Sequence, residues 1–239
     1  MKRILILANF DVGLYKFRKE LIQELLDQGN EVYISLPDGE LVRSLEKMGC
    51  KFVNTAVDRR GINPKTDAKL MFFYKKLIKK LHPDLVITYT IKPNIYGGLM
   101  CRMLRVPYAV NITGLGTAFQ SESAVKKLVT FLYKIALKKA KVVFFENIGN
   151  KQTFLDLHIL KEKQICVLNG AGVNLAEYPF CEYPSENETR FLFIGRVMKE
   201  KGVDELFEAA ERLKSNILMS FLMLWDRWKM ITSHESKSL

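Results

Sequence analysis

Short apolar runs alternate with longer amphipathic segments along most of this sequence, and this alternation restricts the fold more than any other feature. The runs at residues 3–8, 31–36 and 84–90 have the length and apolar composition of buried strands. Between them, residues 14–26 and 67–81 place apolar side chains at helical spacing. Strands that alternate with helices are joined by crossover connections, which produce a parallel sheet with helices on both faces. The sequence therefore predicts a doubly wound, Rossmann-like α/β domain.

A further strand–loop–helix unit is predicted at residues 189–214. Its apolar run at 191–194 ends just before Arg196, and Gly202 opens a segment with apolar residues at helical spacing. The loop therefore places Arg196 and Lys201 beside the unpaired N–H groups of a helix N-terminus, an arrangement that suits a phosphate. A solvated loop would explain the same two cations, so residue types alone leave both interpretations open.

The segment that starts at Gly195, GRVMKEKG, resembles the G-R-x-x-x-x-K-G signature of family 4 glycosyltransferases. These are retaining, nucleotide-sugar-dependent enzymes of GT-B fold. The resemblance implies that Gly195, Arg196, Lys201 and Gly202 bind the donor diphosphate. It also implies that Arg196 and Lys201 are catalytic, because they stabilise the departing nucleotide. A strand before the motif and a helix after it favour this interpretation over a solvated loop.

Four loops that follow predicted strands of the first domain carry glycines, hydroxyls, amides and cations. Ligands of parallel sheets bind beyond the carboxyl ends of the strands, so we expect these loops to line one rim. The G-x-G-x-x-G fingerprint of dinucleotide sites is absent after the first strand, where residues 9–13 read NFDVG. An ordinary turn explains any single loop equally well. The candidate residues are Gly13, Tyr15, Arg18, Arg60, Asn63, Lys92, Asn94, Thr113, Gly114 and Gly116.

These loops resemble the acceptor-binding domain of family 4 transferases that build capsule, O-antigen or protein-linked glycans on polyprenyl diphosphate carriers. The resemblance implies a nucleotide-sugar donor, a lipid-linked glycan acceptor and a retained anomeric configuration. Relatives often place a histidine or an acidic residue after the fifth strand, where this chain has Thr113. The resemblance therefore leaves the group that activates the acceptor unassigned.

The sequence shows no metal or cofactor motif. It has no D-x-D triplet, and its three histidines lack ligand spacing. The four cysteines include no C-x-x-C pair, which indicates neither a zinc site nor a disulfide framework and fits a reducing cytoplasm. We therefore expect cationic side chains and helix dipoles, without a metal ion or cofactor, to neutralise the leaving diphosphate.

The formal net charge of +11 calls for an anionic partner or a well-solvated surface. Residues 69–82 and 124–141 combine apolar positions at helical spacing with many lysines. Basic amphipathic helices often lie on anionic lipid headgroups, although many are ordinary core helices with a solvated face. An anionic membrane surface is thus a candidate partner, whereas no nucleic-acid module is visible. We expect a cytoplasmic protein, and leave open a peripheral position on the inner face of the cytoplasmic membrane.

The expected domain organisation follows the GT-B plan. Residues 1–176 form a complete N-terminal acceptor-binding domain, and residues 177–189, with two prolines and no apolar periodicity, form a linker. Residues 190–214 begin a second Rossmann-like, donor-binding domain, and 215–239 are a tail in which we expect no further family strand. If this tail is back-translated and read one base before the codon boundary, permitted codons can yield a sequence that resembles the family's next strand. Our hypothesis is a truncation or frameshift just after Lys214, with weak or no activity in this form. A divergent terminal helix is the alternative.

Two other functions fit the same features. Another GT-B enzyme, such as a nucleotide-sugar 2-epimerase, would also bind a nucleotide sugar. A non-catalytic subunit that docks on membranes through its lysines would explain the basic helices without any transfer.

Overall fold

The computed structural model of the chain describes residues 1–58, 63–116, 119, 123–182, 189–195, 197, 199–216, 220–225 and 230–232. The chain divides into two compact units, Met1–Asn174 and Leu175–Leu239. Each unit contains a β-sheet and at least one helix, so both are α/β structures.

Seven parallel strands form the sheet of the first unit, as predicted. They are β1 (Arg3–Leu7), β2 (Glu31–Leu36), β3 (Lys51–Asn54), β4 (Leu85–Tyr89), β5 (Tyr108–Ile112), β6 (Val142–Phe145) and β7 (Ile165–Val167). Their spatial order is β3-β2-β1-β4-β5-β6-β7, and every neighbouring pair is parallel. The direction of winding reverses between β1 and β4, which is the switch point where sheets of this kind bind ligands.

Helices cover both faces of this sheet. Helices α1 (Asp11–Asp27) and α2 (Val42–Lys47) pack on one face. Helices α3 (Pro64–Leu81), α4 (Gly98–Leu104), α5 (Ala124–Leu137) and α6 (Ile148–Asp156) pack on the other. This division follows from right-handed crossovers, because the chain winds one way from β1 to β3 and the opposite way from β3 onward.

Two hydrophobic clusters hold these layers together. Ile4 and Ile6 of β1 belong to the cluster beneath α1 and α2, whereas Leu5 and Leu7 belong to the cluster beneath the other helices. Successive side chains of a strand point to opposite faces, so a strand covered on both faces needs a continuous apolar run. This requirement explains why the strands could be recognised from the sequence.

The beginning of α3 differs from the sequence-based boundary. The helix starts at Pro64, three residues earlier than expected, with Asn63 as its N-cap. The Asn63 side-chain oxygen accepts hydrogen bonds from the backbone N–H groups of Lys65 (3.0 Å) and Thr66 (3.4 Å). Proline at the first helical position and asparagine at the cap are a standard helix start.

The second unit contains β8 (Thr189–Ile194), α7 (Val203–Asn216), β9 (Ser220–Trp225) and β10 (Met230–Thr232). The strand and helix expected at 191–194 and from 203 are both present. Two of these strands lie after residue 214, in the segment where we expected no family strand. Strand β9, an apolar run, pairs in parallel with β8, and β10 pairs antiparallel with β9.

Among the described residues, no helix combines the length and apolar character that spanning a lipid bilayer requires.

Candidate functional site

A cavity of about 280 Å³ lies at the carboxyl edge of the first unit's sheet. The ends of β1, β4, β5 and β6 and the first turns of α1 enclose it, so it occupies the switch point between β1 and β4. Its polar lining residues are Asn9, Arg18, Thr90, Thr113 and Glu146, and its apolar ones include Phe10, Leu14, Phe17 and Tyr89. A largely apolar cavity with a few convergent polar groups is the usual form of a small-ligand site.

The first turn of α1 forms one wall and depends on a glycine. A Cβ atom on Gly13 would lie 2.4 Å from the Phe10 ring, so any side chain there would displace that ring. Phe10 is the N-cap residue of α1, and its side chain makes no capping hydrogen bond. The first turn of α1 therefore lines the cavity without a side-chain cap, which leaves its backbone N–H groups available to hydroxyl groups of a ligand.

Arg18 and Glu146 form an ion pair in the cavity wall. Arg18 lies on α1 and Glu146 directly follows β6, and only 11% and 22% of their side chains are exposed. The Arg18 guanidinium carbon also lies 5.2 Å from the centroid of the Tyr89 ring, a cation–π distance. The pair therefore presents both a hydrogen-bond donor and an acceptor to the cavity.

Tyr89 supplies a phenol that stays protonated at neutral pH. Burial raises the pKa of Tyr89 to about 12, and the Arg18 charge opposes this shift while the Glu146 charge adds to it. Because the group is neutral, it contributes no charge of its own to the cavity.

Two polar atoms in the lining have no hydrogen-bond partner. They are Asn9 Oδ1 and Thr90 Oγ1, which are buried and unpaired within the described part of the chain. Thr90 also has φ +72°, a left-handed conformation that costs a β-branched residue energy. Buried polar atoms normally find partners, and backbone strain concentrates at functional sites. These two atoms are therefore the best candidates for hydrogen bonds to a ligand.

The structure brings three of the sequence-predicted residues together at the cavity: Gly13, Arg18 and Thr113. Tyr15 lies elsewhere, because it packs against the hydrophobic cluster beneath α1 and α2. The Lys19 ammonium lies 5.8 Å from the Tyr15 ring centroid. Tyr15 is therefore part of the packing of α1.

Asn94 is not accessible to a ligand, contrary to the expectation from sequence. Its side chain is 1% exposed. It accepts a hydrogen bond from Thr88 Oγ1 (2.7 Å) and donates one to the Asn111 carbonyl oxygen (2.9 Å). Asn111 in turn donates to the Thr88 carbonyl oxygen at 3.3 Å. Asn94 therefore satisfies buried polar groups between β4 and β5, a structural role.

Lys92 also has a structural partner and does not line the cavity. Its ammonium lies 2.7 Å from Asp67 Oδ1, and Tyr96 donates a hydrogen bond of 2.9 Å to the other oxygen of that carboxylate. Burial raises the pKa of the Tyr96 phenol, and the hydrogen bond to Asp67 and the charge of that carboxylate raise it further. This cluster fastens α3 to the π-helical turn Pro93–Gly97. Asn63, the N-cap of α3, likewise lies outside the cavity lining.

The remaining predicted residues fall into two groups. Gly114 borders open space, and Gly116 has φ +66°, a conformation that favours glycine. Lys201 ends a short 3-10 turn just before α7, and Gly202 follows it at φ +71°. Gly195 follows the last residue of β8. Arg60 and Arg196 lie outside the described residues.

Sequence reasoning missed Glu146, Asn9 and Thr90. Glu146 is a polar residue directly after the apolar run at residues 142–145. Polar residues that follow strands selected the other loops, so Glu146 could have been found in the same way. The strain at Thr90 leaves no signal, since a non-glycine residue with positive φ is set by its surroundings.

Comparisons with known proteins identify the family of the chain. Residues 3–147 match the family model described as glycosyl transferase 4-like, and this range contains most of the cavity lining. The chain is 30% identical over 229 residues to the N,N'-diacetylbacillosaminyl-diphospho-undecaprenol alpha-1,3-N-acetylgalactosaminyltransferase of Campylobacter jejuni. That alignment covers 89% of this chain and 61% of the relative.

Solved structures show the same fold. A glycosyltransferase from Rickettsia africae superposes with a TM-score of 0.68 at 21% identity, over 92% of this chain and 60% of that one. Anabaena HepE in complex with UDP and glucose superposes with a TM-score of 0.69 at 15% identity, over 94% and 61%. These neighbours have the GT-B fold. The chain therefore spans about three fifths of the length of the proteins it matches.

Proposed function

Because the chain belongs to the glycosyl transferase 4-like family, we propose that it transfers a sugar from a nucleotide diphosphate to a glycan carried on a polyprenyl diphosphate. Such a reaction belongs to the biosynthesis of surface polysaccharides or related glycans. The relative from Campylobacter jejuni is named for transfer to a diphospho-undecaprenol-linked sugar, and HepE was crystallised with UDP and glucose. Both names support this pair of substrate classes.

The observation that carries the proposal is the cavity at the switch point, which we assign to the acceptor sugar. Arg18 donates hydrogen bonds and the Glu146 carboxylate accepts them. Asn9 Oδ1 and Thr90 Oγ1 lack partners among the described residues, so a sugar's hydroxyl groups would satisfy both. The volume of about 280 Å³ is near the lower end for small-ligand sites and suits a terminal sugar better than a whole oligosaccharide.

The donor side of the proposal rests on the GRVMKEKG segment. In it, Gly195, Arg196, Lys201 and Gly202 bind the donor diphosphate. Breaking the bond between the anomeric carbon and the diphosphate oxygen leaves negative charge on the nucleotide, which Arg196 and Lys201 neutralise. Lys201 lies in the turn before α7, where the helix dipole adds to its charge. Residues 1–176 then bind the acceptor, 177–189 link the domains, and 190–214 begin the donor domain.

A lipid-linked acceptor also indicates where in the cell the protein would work. A polyprenyl carrier stays in the bilayer, so the protein works beside it as a peripheral protein on the inner face of the cytoplasmic membrane. The relative's lipid-linked acceptor supports this part of the proposal.

A transfer assay tests the proposal. The purified 239-residue protein is incubated with a panel of nucleotide sugars, UDP-N-acetylgalactosamine first, and a prenyl-diphosphate-linked N-acetylhexosamine. We expect slow transfer at most, in which the acceptor gains the mass of one sugar and nucleotide is released only when acceptor is present. Acceptor binding is measured separately by calorimetry, so that weak turnover does not decide the result. Epimerisation of the donor without acceptor, or no binding of the acceptor, would contradict the proposal.

A further inference from the structure

The solvent-facing surface of α3, α4 and α5, here called the α3–α5 face, exposes large apolar side chains. The three helices lie side by side over the sheet, since α4 contacts both α3 and α5. Phe72 and Phe131 are 64% and 59% exposed, and Met103 and Leu128 are both half exposed. Single exposed apolar residues are common on soluble proteins, but several on one face indicate an interaction surface.

Lysines flank each exposed phenylalanine at helical spacing. On α3, Lys69 precedes Phe72 by three residues and Lys76 follows it by four, and all three are exposed. Residues three or four apart share one side of a helix, so the three side chains form one stripe.

The same arrangement recurs on α5. Lys127 precedes Phe131 by four residues and Lys134 follows it by three, again with all three exposed. Both helices thus present an aromatic ring between two ammonium groups on one face of the unit.

Acidic residues do not offset this charge. Helices α4 and α5 contain none, and the only one in α3 is Asp67. Asp67 is already engaged by Lys92 and Tyr96. Within the described residues, Lys69, Lys76, Lys127 and Lys134 take part in no ion pair.

We propose that the α3–α5 face docks the protein on an anionic lipid bilayer. The exposed phenylalanines enter the boundary between headgroups and acyl chains, and the lysines contact the lipid phosphates. Lysine is suited to this position because its long apolar stem packs along the bilayer while its ammonium stays at the headgroups. Exposed rings between lysines favour a bilayer over duplex DNA, whose phosphates would contact the charges alone.

Vesicle binding tests the role of the lysines. The full chain is sedimented with phosphatidylglycerol-containing vesicles and with neutral phosphatidylcholine vesicles, and we expect binding only to the anionic ones. The variant Lys76→Gln/Lys134→Gln should bind about 25-fold more weakly, at roughly fivefold per lysine near an anionic surface. The control Arg43→Gln/Lys47→Gln removes the same charge from exposed positions on α2, on the opposite face of the sheet. It should bind like the parent.

A second variant pair tests insertion of the rings. Phe72→Ser/Phe131→Ser should bind about tenfold more weakly and lose the binding that persists at high salt, because apolar burial is not screened. The control Leu21→Ser/Ile148→Ser changes two exposed apolar residues of α1 and α6 and should have no effect. All these side chains are exposed, so thermal unfolding should occur at the parent temperature in every variant.

Several results would overturn the proposal. Equal binding to neutral vesicles, or equal loss in the control variants, would show that the α3–α5 face is not responsible. Binding to duplex DNA that needs the lysines but not the phenylalanines would identify a nucleic-acid surface instead. A dimer that the phenylalanine variants dissociate would identify a second copy as the partner. None of these measurements uses a sugar substrate, so their outcome is independent of the proposed transfer.

Discussion

Arg18 and Glu146 lie 128 positions apart in the sequence and form an ion pair at the carboxyl edge of the sheet. The pair joins α1 to the end of β6 and lines the cavity. Both side chains are mostly buried, so removing either one leaves the other charge without its partner. The same two residues therefore contribute to stability and to the proposed acceptor site, and the two contributions can be separated.

Breaking the ion pair should destabilise the protein, whereas replacing both partners should not. We expect Glu146→Leu to lower the free energy of unfolding by about 2 kcal/mol, because the Arg18 charge remains partly buried and unpaired. Adding Arg18→Met should recover most of this loss, since two apolar side chains fill similar space. Urea unfolding of the two single variants and the double variant measures these changes.

The double variant should lose affinity for the acceptor although it keeps its stability. If the pair contacts the acceptor, Arg18→Met/Glu146→Leu should be nearly as stable as the parent but bind the prenyl-linked sugar at least about tenfold more weakly. Unchanged acceptor affinity in a stable double variant would show that the pair is structural only.

Replacing Thr90 with glycine should make the protein more stable. Its φ of +72° is strained for a β-branched residue and unstrained for glycine. We expect Thr90→Gly to raise the free energy of unfolding by about 1 kcal/mol, after the entropy cost of glycine. Thr113→Gly is the matched control in the same cavity, because Thr113 does not have positive φ.

The Thr113→Gly control should lower stability by about 0.5 to 1 kcal/mol. Thr90→Gly should also weaken acceptor binding, because it removes the Thr90 hydroxyl. A loss of stability in both glycine variants would mean that the conformation of Thr90 is not strained.

The fold was easier to predict from the sequence than the site, for a physical reason. A strand covered on both faces must be apolar throughout, so β1 and β4 were visible in the sequence as apolar runs. The direction of a polar side chain in a loop depends on partners far away in the sequence. Asn94 turns inward to Asn111, and Lys92 pairs with Asp67 on the preceding helix.

Arg18 lies at the cavity because the helix that follows the first strand of a parallel sheet begins at the carboxyl edge. Its pairing with Glu146 could not be predicted, because nothing local in either segment specifies the other.

Alkaline pH should destabilise the protein partly through Tyr89. Burial raises its pKa to about 12 in the folded state, above the ordinary value near 10. The contribution of protonated Tyr89 to the free energy of unfolding is therefore fully present below about pH 10. It is lost as pH rises through about 12, because the unfolded chain releases the tyrosine proton first. Between these two pH values, one such tyrosine lowers the free energy of unfolding by about 1.4 kcal/mol per pH unit.

The variant Tyr89→Phe isolates this contribution. Unfolding by urea between pH 9 and 12 should show a smaller loss of stability in the variant than in the parent, while the two slopes agree below about pH 9. Identical slopes over the whole range would show that Tyr89 has an ordinary pKa in the folded protein.

Lys201 and Lys199 differ in their expected roles although both lie in the turn Lys199–Lys201. Lys201 occupies the lysine position of the G-R-x-x-x-x-K-G signature. Lys199 occupies a variable position of that signature, is exposed, and has its ammonium 3.9 Å from Asp204 Oδ2. If the Lys201 ammonium neutralises the leaving diphosphate, Lys201→Ala should lower kcat/KM by about a hundredfold. Lys199→Ala removes the same charge from the same turn and should change it by no more than about threefold.

Nucleotide binding provides a second measurement that does not depend on turnover. UDP affinity, measured by calorimetry, should fall in Lys201→Ala and in Arg196→Ala but not in Lys199→Ala, because only the first two remove a proposed phosphate contact. Raising the salt concentration should weaken UDP binding in the parent and Lys199→Ala more than in Lys201→Ala, since fewer charges then contribute. If Lys199→Ala and Lys201→Ala lowered UDP affinity equally, the segment would act only through its overall positive charge. The reason for assigning the donor diphosphate to Lys201 would then be gone.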